Sequence, residues 1–231
     1  MSIVSSAYEC NGYCLVKNAI EIDKVSSIVD DLKIFENELN NFGIRDLMNK
    51  IPSIRDLAMS PVLLDLSKNI LGELSKPVRA VFFDKNPDSN WNVAWHQDTS
   101  IAVKRKVDVQ GFGPWSEKQG VVHVEPPENY LANMLTLRIH LDHANSETGV
   151  LRVLPGTHKM GRLKSNEILA IVEKSENNIV ECEANPGDVL LMNPLLFHSS
   201  RKAVKPSHRR IIHIEYSAMT LPQSLEWYEC G

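Results

Sequence analysis

The chain carries two hydrophobic rhythms, and the change between them falls near residue 76. Between Ile20 and Leu74 apolar residues recur every three or four positions, as in Val25, Ile28, Val29, Leu32 and Phe35 and again in Leu57, Leu63, Leu64, Ile70 and Leu71. That period lays them along one face of amphipathic helices. Beyond Pro77 the apolar segments are short, rich in β-branched and aromatic residues, and bounded by Pro, Gly, Asn and Asp, which predicts strands. The expectation is a mainly β fold with flanking α-helices, in which residues 1–76 form a mainly helical buttress and 77–217 the core.

Two of the predicted strands alternate in an unusual way. In Met134–Asp142 one face carries Leu135, Leu137, Ile139 and Leu141, and the other Thr136, Arg138, His140 and Asp142. In Arg209–Tyr216, Ile212, Ile214 and Tyr216 share one face, while Arg209, His213 and Glu215 share the other. Two readings fit this pattern. One is the solvated face of an antiparallel sheet. The other is a barrel whose apolar outside is covered by the N-terminal helices and whose polar inside holds a small ligand.

Composition narrows the class without choosing between them. With 231 residues, 43% hydrophobic and 23% charged, the chain is of ordinary globular type, and its length suits one domain, 1–231. A formal charge of −4 gives no reason to expect nucleic acid or an anionic membrane as partner. No apolar run approaches the roughly 20 residues that span a bilayer. Cys10, Cys14, Cys182 and Cys230 show no CxxC spacing, and the N-terminus lacks both a basic segment and a continuous apolar one. A soluble, cytoplasmic protein with reduced thiols is expected; oligomeric state is not legible.

The candidate chemistry lies in histidines. His96 and Asp98 are separated by one residue, so on an extended segment they project from the same face and can chelate one ion. His198 follows the apolar run Pro194–Phe197, itself preceded by the turn signal Asn185-Pro186-Gly187-Asp188 and a strand. Two imidazoles and one carboxylate make the facial triad that suits Fe(II), because three adjacent coordination positions stay open. An isolated HxD is weak evidence, but Arg209 stands eleven residues after His198, where a guanidinium can hold a carboxylate through two parallel hydrogen bonds. Ser200 and Thr136 can add hydroxyl donors to the same carboxylate.

Together these residues resemble the phytanoyl-CoA dioxygenase family of Fe(II)/2-oxoglutarate-dependent oxygenases. The resemblance rests on Trp95-His96-Gln97-Asp98, on Gly149–His158 with its Leu154-Pro155-Gly156-Thr157-His158 end, on Pro186-Gly187-Asp188 leading to Phe197-His198, and on Arg209-Arg210. It covers roughly residues 77–217. It implies a double-stranded β-helix, the jelly-roll or cupin-like barrel, and makes His96, Asp98 and His198 the iron ligands with Arg209 and Ser200 on the distal carboxylate of 2-oxoglutarate. It further implies consumption of O2, hydroxylation of an unactivated C–H bond, and release of succinate and CO2. Halogenating relatives replace the carboxylate ligand by a small residue, so Asp98 speaks for a hydroxylase.

Other residues extend the site. Lys85 can reach the co-substrate or be a turn residue. Arg138 is either an anchor for an acidic group on the substrate or internal scaffolding paired with Glu215 or Asp142. His140 shares its polar face, and Gln97 lies between the two ligands. Residues 100–129, long and punctuated by Gly and Pro, read as an active-site lid that carries Phe112 and Trp115 over the substrate. The Pro155-Gly156 turn and His158 read as structural. The substrate expected is a small polar or acidic metabolite. The alternatives are a cupin-like metal protein, an isomerase or a ligand-binding module, that does not use 2-oxoglutarate, and a structural zinc or interaction protein.

Overall fold

A computed structural model describes residues 2–35 and 43–230, so positions 36–42 of the predicted helical segment lie outside the described residues. The N-terminal segment contains α1 (Ile3–Asn11), β1 (Tyr13–Val16), α2 (Ile22–Leu32), β2 (Ile44–Arg45), α3 (Leu47–Lys50), α4 (Pro52–Ala58) and α5 (Pro61–Leu71). Helices α4 and α5 each begin at a proline, whose fixed φ suits the first turn and whose missing N–H is not needed there. The helical rhythm is confirmed by α2, where Val25, Ile28 and Leu32 are the buried positions.

The rest of the chain is mostly strands: β3 (Lys76–Lys85), β4 (Val93–His96), β5 (Ile101–Val103), β6 (Trp115–Lys118), β7 (Val121–Val124), then α6 (Glu128–Ala132) and β8 (Met134–His140). There follow β9 (Leu151–Val153), α7 (Ser165–Lys174), β10 (Val180–Glu181), β11 (Val189–Met192), β12 (His198–Ser200) and β13 (Arg209–Ser217). An antiparallel six-stranded sheet has the order β1-β11-β8-β13-β3-β2, and a four-stranded sheet the order β10-β9-β12-β4. One cavity is lined by side chains of both sheets, so they face each other as a jelly roll.

The alternation in β8 and β13 decides between the two readings. Leu135, Leu137, Ile139, Ile212, Ile214 and Tyr216 pack in one cluster with Ile28, Leu47, Ile54 and Leu63 of the helices. The opposite faces, with Arg138, His140, Arg209 and His213, are also buried. The sheet is therefore covered on both sides, and its polar face is the interior of the barrel.

One expectation is refined and another corrected. The N-terminal segment is not only a helical buttress: Tyr13–Val16 pairs with Val189–Met192 and Ile44–Arg45 with Phe82 and Val81, so both edge strands of the large sheet come from it. These strands are too short to break the helical rhythm of the surrounding sequence. Residues 100–129 are not a loop. They form a third antiparallel sheet, β5-β7-β6, with an apolar cluster of its own that includes Ile101, Val103, Val124, Leu131 and Trp227. The glycines read as loop punctuation sit at its bends, with Gly111, Gly113 and Gly120 all at positive φ.

Candidate active site

β4 and β12 are neighbours in the smaller sheet, and their register sets His96 directly opposite His198. The imidazole rings lie 4.1 Å apart between centroids. Each Nδ1 is 2.8 Å from a carbonyl two residues earlier in its own strand, Ala94 for His96 and Leu196 for His198. A carbonyl only accepts, so Nδ1 carries the hydrogen and each Nε2 is left with a lone pair. Those Nε2 atoms stand 3.7 and 3.6 Å from Asp98 Oδ1 and Oδ2. Asp98 is held from behind, where its own N–H donates to Pro194 O at 2.9 Å.

The three ligand atoms lie within 4.8 Å of one another, which is the arrangement of an N,N,O chelate. Burial works against ionisation of Asp98, yet His198 and His96 outweigh it and hold the carboxyl well below the usual carboxylate range. Burial, and then His96 beside it, pushes His198 down to about 3, so its imidazole is neutral and able to bind a cation. The His96 and Asp98 side chains are 38% and 32% exposed against 5% for His198, so the cluster opens on the His96–Asp98 flank.

The cavity beside these residues has a volume of about 170 Å³. Phe83, Trp91, Val93 and Leu151 give it apolar walls, and Lys85, Arg138 and Arg209 put three cations into it. Arg209 is 3% exposed, and its Nε and Nη1 are buried with no hydrogen-bond partner among the described residues. Burial and then Arg138 lower its pKa to about 9. Arg210, one residue along and on the other face, instead grips Asp142 with two hydrogen bonds of 2.8 Å. That contact, and the Arg79–Glu215 pair, remove both partners proposed for Arg138, whose Nη1 donates to His213 Nδ1 at 3.1 Å.

Lys85 and Ser200 line the cavity but act on each other. Lys85 Nζ donates to Ser200 Oγ (2.6 Å), Arg201 O (2.5 Å) and Ser200 O (3.5 Å), and Ser200 donates its one hydroxyl hydrogen to Gly149 O at 2.7 Å. Ser200 is thus not the free hydroxyl donor expected, because Gly149 already takes its hydrogen. Gly149 has φ +73°, and a side chain there would collide with Arg201 O, so a glycine is required where this contact forms.

Five residues expected at the site are not brought to the cavity. Gln97 is fully engaged, donating to Gly161 O (2.8 Å) and Leu195 O (2.7 Å) and accepting from Leu163 N (2.9 Å), which makes it a clamp behind the ligand strand. Phe112 meets Tyr130 edge to face at 5.3 Å, and Trp115 packs into the cluster of the third sheet, so neither covers the cavity. Thr136 and His140 lie on the inner face of β8 but outside its lining. Burial, then Arg138 and Arg209, lower His140 to about 3.

The Leu154–His158 turn is structural, as expected: Thr157 Oγ1 accepts from Phe197 N (3.0 Å) and donates to Leu154 O (2.7 Å), fixing the residue before His198. His213, which shares the polar face of its strand with Arg209, does line the cavity, whereas Phe83 was missed although it shares parity with Lys85. Trp91, in a loop, gave no signal.

A jelly roll that sets a two-histidine, one-carboxylate cluster beside an unpartnered buried arginine defines a class of non-haem metal-binding barrels. The family model for phytanoyl-CoA dioxygenase (PhyH) matches residues 8–211, and the chain belongs to that family. No curated protein sequence matches it significantly. Among solved structures it is similar to HygX from Streptomyces hygroscopicus with nickel and 2-oxoglutarate bound (TM-score 0.68, 17% identity, covering 94% of this chain and 86% of that one). It is also similar to EctD from S. alaskensis with bound Fe (TM-score 0.71, 18% identity, 94% and 76% covered). A third is SnoN, an epimerase, in complex with Fe3+, alpha ketoglutarate and nogalamycin RO (TM-score 0.71, 16% identity, 99% and 93% covered). These likenesses show the fold.

Proposed function

We propose that residues 1–231 act as one Fe(II)/2-oxoglutarate-dependent dioxygenase that hydroxylates an unactivated C–H bond of a small polar metabolite, with release of succinate and CO2. One observation carries this reading: a single cavity contains an N,N,O donor set and, nearby, a buried guanidinium with two unpartnered donors. A dicarboxylate bearing a 2-oxo group fits both, one end at the metal and the other at Arg209. Bound iron, with 2-oxoglutarate and dioxygen, supplies the oxidising power needed to break such a bond.

The protein's share is arrangement. His96 and His198 present Nε2 because Ala94 O and Leu196 O hold the opposite nitrogen. Asp98 brings the negative charge that favours a divalent ion. Arg209 holds the far carboxylate, with Arg138 and Lys85 adding positive potential. Ser200 and Lys85 tie the end of β12 to Gly149 and Arg201, which positions the strand that carries His198. Phe83, Trp91, Val93 and Leu151 exclude water. The substrate approaches from the exposed His96–Asp98 flank. A carboxylate at position 98 supports hydroxylation without halide, while SnoN makes product identity the point to measure. Titration of the anaerobic Fe(II) protein with 2-oxoglutarate should produce a visible metal-to-ligand charge-transfer band. In air, substrate should raise succinate release and gain one oxygen atom in its mass. Absence of the band would favour a cupin-like metal protein that does not use 2-oxoglutarate.

A further inference from the structure

The cavity beside the metal cluster is lined by two buried guanidiniums, and the proposed reaction gives a carboxylate to only one of them. Arg209 stands opposite Lys85 in the register of the large sheet, and two rungs further along the same face His213 stands opposite Arg138. Lys85 in turn meets Ser200 Oγ at 2.6 Å, and His198 precedes Ser200 by two residues on β12. Contact across the cavity thus ties Ser200 to the Arg209 end and leaves the metal ligands towards Arg138. The surrounding charges agree. Burial lowers the pKa of both guanidiniums, and Arg138 lowers that of Arg209 further; the carboxylate that opposes this is Asp98 for Arg138, but Asp84 and then Asp142 for Arg209.

Arg138 is held in place yet has a donor to spare. Its Nη1 donates to His213 Nδ1 at 3.1 Å, and because a guanidinium only donates, that nitrogen is the acceptor and the ring hydrogen sits on Nε2, 3.4 Å from Glu215 Oε1. Glu215 Oε1 also accepts from Arg79 Nη1 at 2.9 Å, which fixes the far end of the chain. Nη2 of Arg138 has no partner among the described residues and is not enclosed by them, so it is the nitrogen open to the cavity. Among the described residues Asp98 is the only acidic side chain in the lining, against Lys85, Arg138 and Arg209. Two like charges in one small interior, each with unpartnered donors, call for a guest that brings an anion to each. The volume of about 170 Å³ lies below the roughly 300–1,000 Å³ of sites that bury a whole drug-sized ligand, so one small dianion suits it better than a dianion and a second acid together.

We propose that Arg138 binds the carboxylate at the 2-oxo acid end of 2-oxoglutarate through Nη2, with His213 as the positioning residue that aims it, so that each carboxylate of the dianion has its own guanidinium. The inference rests on the oxygenase reading above and deepens it. Arg138 is committed to the co-substrate, and an acidic group on the substrate, expected at this residue, is not required.

The test compares two acids on the anaerobic Fe(II) protein, followed by the visible charge-transfer band: 2-oxoglutarate, and pyruvate, which keeps the 2-oxo acid end and lacks the distal carboxylate. Arg138→Met should weaken both by a similar factor, about tenfold to a hundredfold, as expected for a lost hydrogen bond to a charged group. Arg209→Met should weaken 2-oxoglutarate and leave pyruvate within about threefold of wild type. His213→Phe removes the acceptor for Nη1 and keeps Arg138, so it should weaken both acids by a smaller common factor, and it serves if Arg138→Met fails to fold. Pyruvate affinity within about threefold of wild type in Arg138→Met, or in His213→Phe where the first does not fold, would overturn the inference. Loss of 2-oxoglutarate alone would then put Arg138 at the distal carboxylate, and loss of neither would return it to the substrate. A wild-type protein that binds 2-oxoglutarate but no pyruvate would overturn it too, because the 2-oxo acid end would have no anchor of its own. A wild-type protein that shows the band with neither acid overturns the oxygenase reading itself, and this inference with it.

Discussion

The two faces of the large sheet are equally buried and do opposite things. On the outer face most polar groups find a complement: Arg210 grips Asp142, Asp84 Oδ2 meets His208 Nδ1 and Asn86 Nδ2, and Tyr216 Oη donates to Ala58 O at 2.7 Å, with Asp84 Oδ1 the exception, while the remaining positions are apolar side chains packed on helices. On the inner face the strands carry Arg138, Arg209, Lys85, His140 and Glu215, several with atoms that have no partner. Arg209 and Arg210 differ by one position in sequence and by the whole of this contrast. Next to a cavity that also holds the His96–Asp98–His198 cluster, the unpartnered atoms of Arg209 and Arg138, at 3% and 7% exposure, mark where the fold accommodates something else.

One substitution at the metal cluster and two that separate the faces follow, in order of size. Asp98→Ala should abolish Fe(II) binding in equilibrium dialysis and succinate formation with it; full turnover in this variant would show that the carboxylate is not a ligand. Leu137→Ala, on the outer face and fully buried, should remove about 2–5 kcal/mol of stability by leaving a cavity under the helices, read as a drop in the urea midpoint. Its affinity for 2-oxoglutarate should be unchanged. Arg209→Met should do the reverse, weakening 2-oxoglutarate by about a hundredfold, as expected for loss of a charged two-point contact, while holding or raising the melting temperature because an unpaired buried charge is gone. If Arg209→Met unfolds the protein as Leu137→Ala does, the contrast between the faces is wrong.

How much of this was legible in the sequence follows the same division. Periodicity located the apolar outer face, since Leu135, Leu137 and Ile139 alternate without exception, and the HxD spacing with a distant His located the metal cluster. What periodicity could not show was partner choice. Ser200 and Gln97 carry the right chemistry at plausible positions, yet Gly149 O, Gly161 O and Leu195 O claim their hydrogens, and those carbonyls come from segments remote in sequence. Phe112 and Trp115 misled for a related reason. Their Gly- and Pro-rich surroundings mark bends between short strands as readily as they mark a mobile loop.

Lys85 belongs to the inner face by position but has the hydrogen bonds of an outer-face residue, which makes it the finest test of the comparison. Burial, then Arg209 and Arg138, lower its pKa from the usual 10.5 to about 7. Above that value folded Lys85 is neutral while the unfolded chain still binds the proton, so the unfolded state holds more protons and Lys85's contribution to stability rises with pH, by up to about 1.4 kcal/mol per unit, between about 7 and 10. Below pH 7 it is charged in both states and contributes no slope. For 2-oxoglutarate the sign is opposite. The dianion favours the ammonium form, so its dissociation constant should rise with pH above about 7, by no more than about tenfold per unit. Lys85 has its hydrogens on Ser200 and Arg201, so this effect acts through charge rather than contact. Lys85→Met should flatten both profiles together. A 2-oxoglutarate affinity that is independent of pH between 6.5 and 8.5, roughly the window in which Lys85 changes charge, would place it with the structural residues of the outer face.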